Sequence, residues 1–188
     1  DFVAGPAVVD RGIAAAARYR PDGTLAWSKR YRGALQGAHL GPDDGLTTLV
    51  VAEPTSGLIA GRRLLERIDA GGRVVDSREL PRFPDTGVRT ALGGRGDLYV
   101  AGRLDAPADL GGGRRTPLLD VVFLASYAPD GRYRYDRYWS DATSSAFSAF
   151  AVGRGDRLLV AGRFTGELDF GGGARTGDDR PFALLLQD

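Results

Sequence analysis

The sequence predicts an all-β protein built from repeated antiparallel sheets, and three observations carry that prediction. Twenty-eight glycines and ten prolines punctuate the chain, with Asp-Gly pairs recurring between short apolar runs. No long segment sustains the 3.6-residue apolar period of a helix. The tripeptide Ala-Gly-Arg occurs at Ala60-Gly61-Arg62, Ala101-Gly102-Arg103 and Ala161-Gly162-Arg163, each time closing an apolar run: GLIAGR, LYVAGR and LLVAGR.

A turn flanked by a strand pair recurs in step with that tripeptide. Its copies are AARYRPDGTLAWSKRY from residue 16, LERIDAGGRVVDSREL from residue 65 and LASYAPDGRYRYDRYW from residue 124. Proline presets the first corner of such a turn, and Gly23, Gly72 and Gly131 supply the positive φ that a tight hairpin requires. A third element, an aspartate followed by an apolar residue and glycines, appears as DLGGG from Asp109 and DFGGG from Asp169, with a degenerate form, DFVAG, at Asp1. These elements divide the chain into approximate units 1–62, 63–122 and 123–181 with a terminal strand 182–188.

In the third unit FLASYA, RYRYDRYW, AFSAFAV and RLLVAGRF read as four strands joined by PDG, SDATSS and GRGD, with ELDFGG at the outer edge or crossing onward. About four short strands per 50 to 60 residues match one blade of a β-propeller. A single sheet of this kind buries its two faces only by stacking on its neighbours. About three units fall short of the four or more blades that usually close a ring, so the chain is expected to form part of a larger propeller, completed by further sequence or by other chains. The absence of methionine carries the same expectation, that the chain is not a complete primary translation product.

The combination FTGELDFGGG, a loop, then FLASYAPDG, together with LAWSKRY, resembles the bacterial β-propeller repeats related to the SBBP group of secreted proteins and lipoproteins. The resemblance covers nearly the whole chain, and a single lysine among 25 basic residues is in keeping with the GC-rich organisms in which such repeats abound. It implies a propeller fold, an extracellular or cell-envelope location (periplasm or outer membrane) and a binding or scaffolding role, with no shared catalytic residues. The first unit departs from the pattern, with only three residues separating Gly61 from Leu64, its apparent equivalent to Phe123, and the second turn is DAGG instead of PDG.

Aligning the strands that follow the three turns sets Tyr133 with Leu25 and Val74, Tyr135 with Trp27 and Asp76, and Trp139 with Tyr31 and Leu80. Alternation places these aromatics in the packing between sheets. Trp27 resembles the tryptophans that dock blades in quinoprotein-like propellers.

Composition narrows the function classes. A net charge of +1, from 25 basic and 24 acidic residues spread along the chain, makes no field for nucleic acid or an anionic membrane. No apolar run is long enough to span a bilayer as a helix. The chain has no cysteine, which removes disulfides and thiolate sites.

Individual motifs give weak functional signals. Arg95-Gly96-Asp97 and Arg154-Gly155-Asp156 match an adhesion tripeptide but fall in a hairpin where Gly and Asp serve the turn. His39, the sole histidine, is expected in a loop, and a triad or metal site would need Ser28, Asp43 or Asp44 beside it. The oxygen-rich segments PDDG (42–45) and TGDDRP (176–181) lack the ligand series of an EF-hand. Gly111–Gly113 and Gly171–Gly173 lack the Lys-Ser/Thr of a phosphate loop and read as tight backbone passages. Arg163 is expected to pair with a carboxylate such as Asp169, and Arg62 and Arg103 to sit equivalently.

The expected function is a non-catalytic binding or scaffolding module acting through protein partners, without cofactor or metal. The loops RGALQGAHLGPDD (32–44), LPRFPDTG (80–87) and WSDATSS (139–145) are where a ligand would be sought. A lectin-like propeller assembled from several chains, binding carbohydrate, is the alternative. An enzyme acting on polysaccharide or an ester comes after it and would need converging carboxylates.

Overall fold

The computed structural model describes residues 13–41, 44–52, 61–81, 88–104, 106–117, 121–139 and 142–187. The chain is all-β and antiparallel; among the described residues the sole helical segment is a 3₁₀ turn at Arg154–Asp156. It divides into two compact units, Asp1–Leu80 and Pro81–Asp188.

The first unit is a meander of β1 (Ile13–Tyr19), β2 (Leu25–Leu40), β3 (Leu46–Ala52), β4 (Arg63–Ile68) and β5 (Val74–Leu80), each pairing with its neighbour in sequence. β2 serves two sheets. Its first half pairs with β1 as far as Ile13↔Arg32, and its second half pairs with β3 from Gly33↔Ala52 onward. The change of partner falls at Gly33, whose φ of 129° is open to glycine and strained for other residues.

The second unit contains β6 (Arg89–Leu92), β7 (Leu98–Leu104), β8 (Ala108–Asp109), β9 (Arg114–Arg115), β10 (Val121–Tyr127), β11 (Tyr133–Trp139), β12 (Ala142–Val152), β13 (Arg157–Leu168) and β14 (Arg175–Gln187). One sheet has the order β11-β10-β7-β6, a second β12-β13-β14, and β8-β9 form a small hairpin.

The three predicted turns are built alike. Gly23, Gly72 and Gly131 donate their amides to the carbonyls of Arg20, Asp69 and Ala128. Each has φ between 77° and 89°. This is a type I turn closed by a left-handed residue, a hairpin connection that bulges the strand beyond it. The register shift falls at one equivalent place in each hairpin: Arg18/Tyr19, Arg67/Ile68 and Ser126/Tyr127. The alignment of Tyr133 with Leu25 and Val74 is therefore the alignment of the folded strands.

Strand pairing changes the phase of the repeat. FLASYA, RYRYDRYW, AFSAFAV and RLLVAGRF do not form one sheet: among the described residues β11 pairs only with β10, and β12 opens the next sheet. The observed repeat is the second half of β2 with β3, β4 and β5, then β6, β7, β10 and β11, then β12, β13 and β14. Equivalent pairs anchor it at Leu46↔Ile68, Leu98↔Tyr127 and Leu158↔Leu186. In this frame Arg103 and Arg163 occupy the place of Val51, so Gly61-Arg62 is not the counterpart of the other two copies; Ala60 lies outside the described residues. The first unit has thus kept a connection after its second strand, and the apparent three-residue gap disappears. The segment expected as a loop at 32–44 is strand through Leu40, since Leu35, Ala38 and their neighbours pair with the buried β3.

Sheets stack within each unit by a common rule. In the first, Ala14, Ala16 and Tyr31 from β1-β2 pack on Leu46, Val50 and Ile68 from β3-β4, with Trp27 and Val74 at the margin. In the second, Tyr99, Ala101, Val122, Leu124 and Trp139 from the four-stranded sheet pack on Leu158, Phe164 and Leu168 of the last sheet, with Phe170 and Phe182 beside them. Leu98, Phe123 and Tyr127 are fully buried. Each such side chain contributes roughly 1.5–3 kcal/mol through removal from water.

Candidate functional site

The aromatic turn strand is committed to packing. Trp139 is 8% exposed and meets Phe170 edge-on at 5.6 Å between centroids. Tyr135 lies against the same core. Trp27 lies against Gly72, where an added Cβ would come within 2.6 Å of its Cγ, and its indole Nε1 donates to the Ala70 carbonyl at 3.1 Å.

Tyr133 faces the DLGGG segment. An added Cβ at Gly111 would sit 2.7 Å from Tyr133 Cβ, and one at Gly112 would lie 2.7 Å from its Cζ. Around Asp136 a polar cluster forms. Tyr138 donates its hydroxyl to Asp136 Oδ2 at 3.0 Å, Arg115 approaches Oδ1 at 3.4 Å, and the Tyr133 hydroxyl bonds the same carboxylate. Burial raises the pKa of both tyrosines, and the Asp136 charge adds to the rise. A hydroxyl held protonated in this way is a poor base or nucleophile at neutral pH. The cluster instead clamps the β8-β9 hairpin onto β11.

The glycine runs already hold an anion of their own. Asp109 Oδ1 accepts from the Gly111 and Gly113 amides at 2.8 and 3.0 Å, and Asp169 Oδ1 accepts from Gly171 and Gly173 at 2.7 and 3.0 Å. Asp69 does the same with Gly71 and Arg73. Two of the three amides that each glycine run could offer a phosphate are thereby taken. This shared use of Asp69, Asp109 and Asp169 was not read from the sequence, although an aspartate two residues before glycine was the available signal.

The two Arg-Gly-Asp tripeptides occupy equivalent hairpins one residue out of register. Gly93 and Gly153 bond the carbonyls of Asp97 and Arg157 across the two turns, which puts Gly96 and Asp156 at the left-handed position, with φ of 85° and 54°. The Asp156 carboxylate accepts from the Gly94 amide at 3.0 Å and pairs with Arg95 at 3.2 Å. Asp97 pairs with Arg134 at 3.1 Å and Arg95 at 3.5 Å. Both aspartates are buried, so neither tripeptide presents a free carboxylate to a receptor.

His39 belongs to β2 and pairs with Thr47, where a loop was expected; burial lowers its pKa. Ser28 lies eleven positions earlier on the same strand, roughly 35 Å away if extended at about 3.3 Å per residue. Asp44 is exposed with φ of 57°, and Asp43 lies outside the described residues. TGDDRP falls within β14, and Asp179 there pairs with Arg163, its Oδ1 2.8 Å from Nε. That corrects the expected Asp169 partner, whose carboxylate is held by glycine amides. Arg62 pairs with Glu79 at 2.7 Å. LPRFPDTG lies outside the described residues from 82 to 87, and WSDATSS becomes strand from Ala142.

Among the described residues no group of three or more His, Cys, Asp or Glu side chains could hold a metal ion. No helix among them is long and apolar enough to cross a membrane. What stands open is the outer side of the last sheet: Leu159 is 44% and Leu185 62% exposed, with Ala149, Ala151 and Ala183 exposed nearby on paired strands.

The fold and these contacts define an all-β protein of antiparallel sheets, packed face to face inside each of its two units. No family model and no curated protein matches the chain. Among solved structures it is similar to a crystal structure of a protein of unknown function from Bacteroides caccae, with 12% identity and a TM-score of 0.49 over 92% of this chain. The chain spans 54% of that protein's length.

Proposed function

We propose that the chain is a run of β-propeller blades acting as a non-catalytic binding or scaffolding module of a secreted or cell-envelope protein, with protein partners. The observation that supports this most is the common stacking rule: in each unit the residues of one sheet's outgoing face cover the incoming face of the next sheet in sequence, as successive blades do. The last sheet leaves its outgoing apolar face, Leu159 and Leu185 among it, exposed. That is the surface a further blade or partner would cover. The conspicuous charged and hydroxyl groups, Asp97, Asp156, Asp136 and Tyr138, are engaged in holding strands and turns together, which favours scaffold over catalysis.

The test is the intact mass of the native polypeptide beside the mass and electron-microscopic shape of the particle it forms. A ring of radial sheets enclosing a channel is the expected result. A stable, soluble monomer of these residues alone, with no ring in any longer form, would overturn the reading.

A further inference from the structure

We propose that the outer edge of β14 is a docking edge for an extended strand of the β11 type, one that lays an aromatic side chain over Gly171 and Gly172 and sets a carboxylate against Arg175. The inference goes beyond the propeller reading, because it depends on the register of two sheets and not on closure of a ring.

β14 occupies the position of β10. Gly102↔Phe123 and Gly162↔Phe182 are equivalent pairs, as are Leu98↔Tyr127 and Leu158↔Leu186. β10 carries β11 on its other side, whereas among the described residues β14 pairs with β13 alone. A strand of 13 residues with one edge unpaired among the described residues is a ready template for strand addition.

The glycine segments beside the two strands are the same object. Their aspartates accept from the same two amides, as given above. Gly111 and Gly171 have φ of 109° and 99°, and Gly113 and Gly173 have 103° and 94°. The pairs Ala108↔Arg115 and Leu168↔Arg175 share one register. In the second unit this object is filled: Tyr133 covers Gly111 and Gly112, and Asp136 meets Arg115. In the last sheet it is formed but open. A Cβ added at Gly171, Gly172 or Gly173 meets nothing within 4 Å, and Arg175 is exposed.

Shape and charge together therefore specify the occupant: a strand with an aromatic residue and, three residues on, a carboxylate, the spacing of Tyr133 and Asp136. A second copy of this chain is disfavoured as donor, because its β11 is already bonded to β10.

The probe is a labelled synthetic peptide, GRYRYDRYW, titrated into the intact chain by fluorescence anisotropy, with hydrogen exchange mapping the contact. Saturable binding and slowed exchange in 175–187 are expected. Replacing the tyrosine equivalent to Tyr133 by alanine in the peptide should weaken binding about tenfold, as should Gly172→Ala in the protein, by inserting a methyl where the ring must lie. Gly172→Ala should melt like the parent protein. The proposal is overturned by absent binding, by equal binding of a scrambled peptide or to Gly172→Ala, or by protection appearing in 121–127 instead. It is also overturned if 175–187 becomes protected with rising protein concentration and no peptide, which would make a second copy the occupant. None of these results bears on whether the sheets close into a ring.

Discussion

Asp156 bonds the Gly94 amide at 3.0 Å, and by that bond the hairpin between β12 and β13 is fastened to the hairpin between β6 and β7. The carboxylate is 12% exposed, so this charge-assisted bond is little weakened by water, while Arg95, 67% exposed, adds less. Asp156 also tolerates a φ of 54° that alanine adopts poorly. Asp156→Ala should therefore cost about 2 kcal/mol in urea unfolding, and Asp156→Asn, which keeps an acceptor and the left-handed preference, about 1 kcal/mol or less. Equal losses in the two variants would show that the bond is not what matters.

Gly112 and Gly172 form a matched pair. Gly112→Ala should lower stability by about 1–3 kcal/mol, because the methyl overlaps the Tyr133 ring, while Gly172→Ala should stay within about 0.5 kcal/mol of the parent. Thermal melts of the two variants decide it.

Trp27→Phe should cost about 1 kcal/mol through loss of the bond to Ala70, and Trp27→Ala about 2–4 kcal/mol through the cavity left over Gly72. Denaturant midpoints for both variants, read by circular dichroism, supply the check.

Arg163→Leu should change stability by less than about 0.5 kcal/mol, since its side chain is 57% exposed and that of Asp179 69%. A loss of several kcal/mol would mean the pair is shielded from water in the assembled protein.

His39 has its pKa lowered by burial. Below about pH 6.5, the ordinary value, the unfolded chain takes up the proton before the folded one does, so stability falls as the pH drops toward the folded pKa and is retained above about pH 6.5. His39→Gln should flatten that part of the stability curve. A wild-type curve rising toward acid between pH 6.5 and 5, relative to His39→Gln, would reverse the sign and refute the assignment.

The three Asp/Gly hairpins were legible because Pro21, Pro129 and the glycines at 23, 72 and 131 dictate a turn whatever surrounds them. The phase of the repeat was not. Val50-Val51-Ala52 holds the place that Gly102-Arg103-Leu104 holds elsewhere, so register chemistry and tripeptide spelling parted company in the first unit. The strand at Gly33–Leu40 was hidden by Gly33, Gly37 and the register shift between Leu35 and Gly37, which break simple alternation. The one-residue offset between the two Arg-Gly-Asp turns was equally invisible, since only backbone bonding shows which residue takes the left-handed corner. The packing role of Trp139 and Tyr135 could be read because alternation on a two-faced strand leaves few other places for such rings. The partner of Arg163 could not, because it depends on where the chain returns after Leu168.

β2 passes through Gly33 from one ladder into the next as one continuous strand, and no slack segment lies between them. Tension applied along the chain at this point has no hinge to take it up. In a single-molecule pulling experiment β1 through β5 should consequently give way in one rupture, with no plateau separating the loss of the β1-β2 ladder from that of β3, β4 and β5.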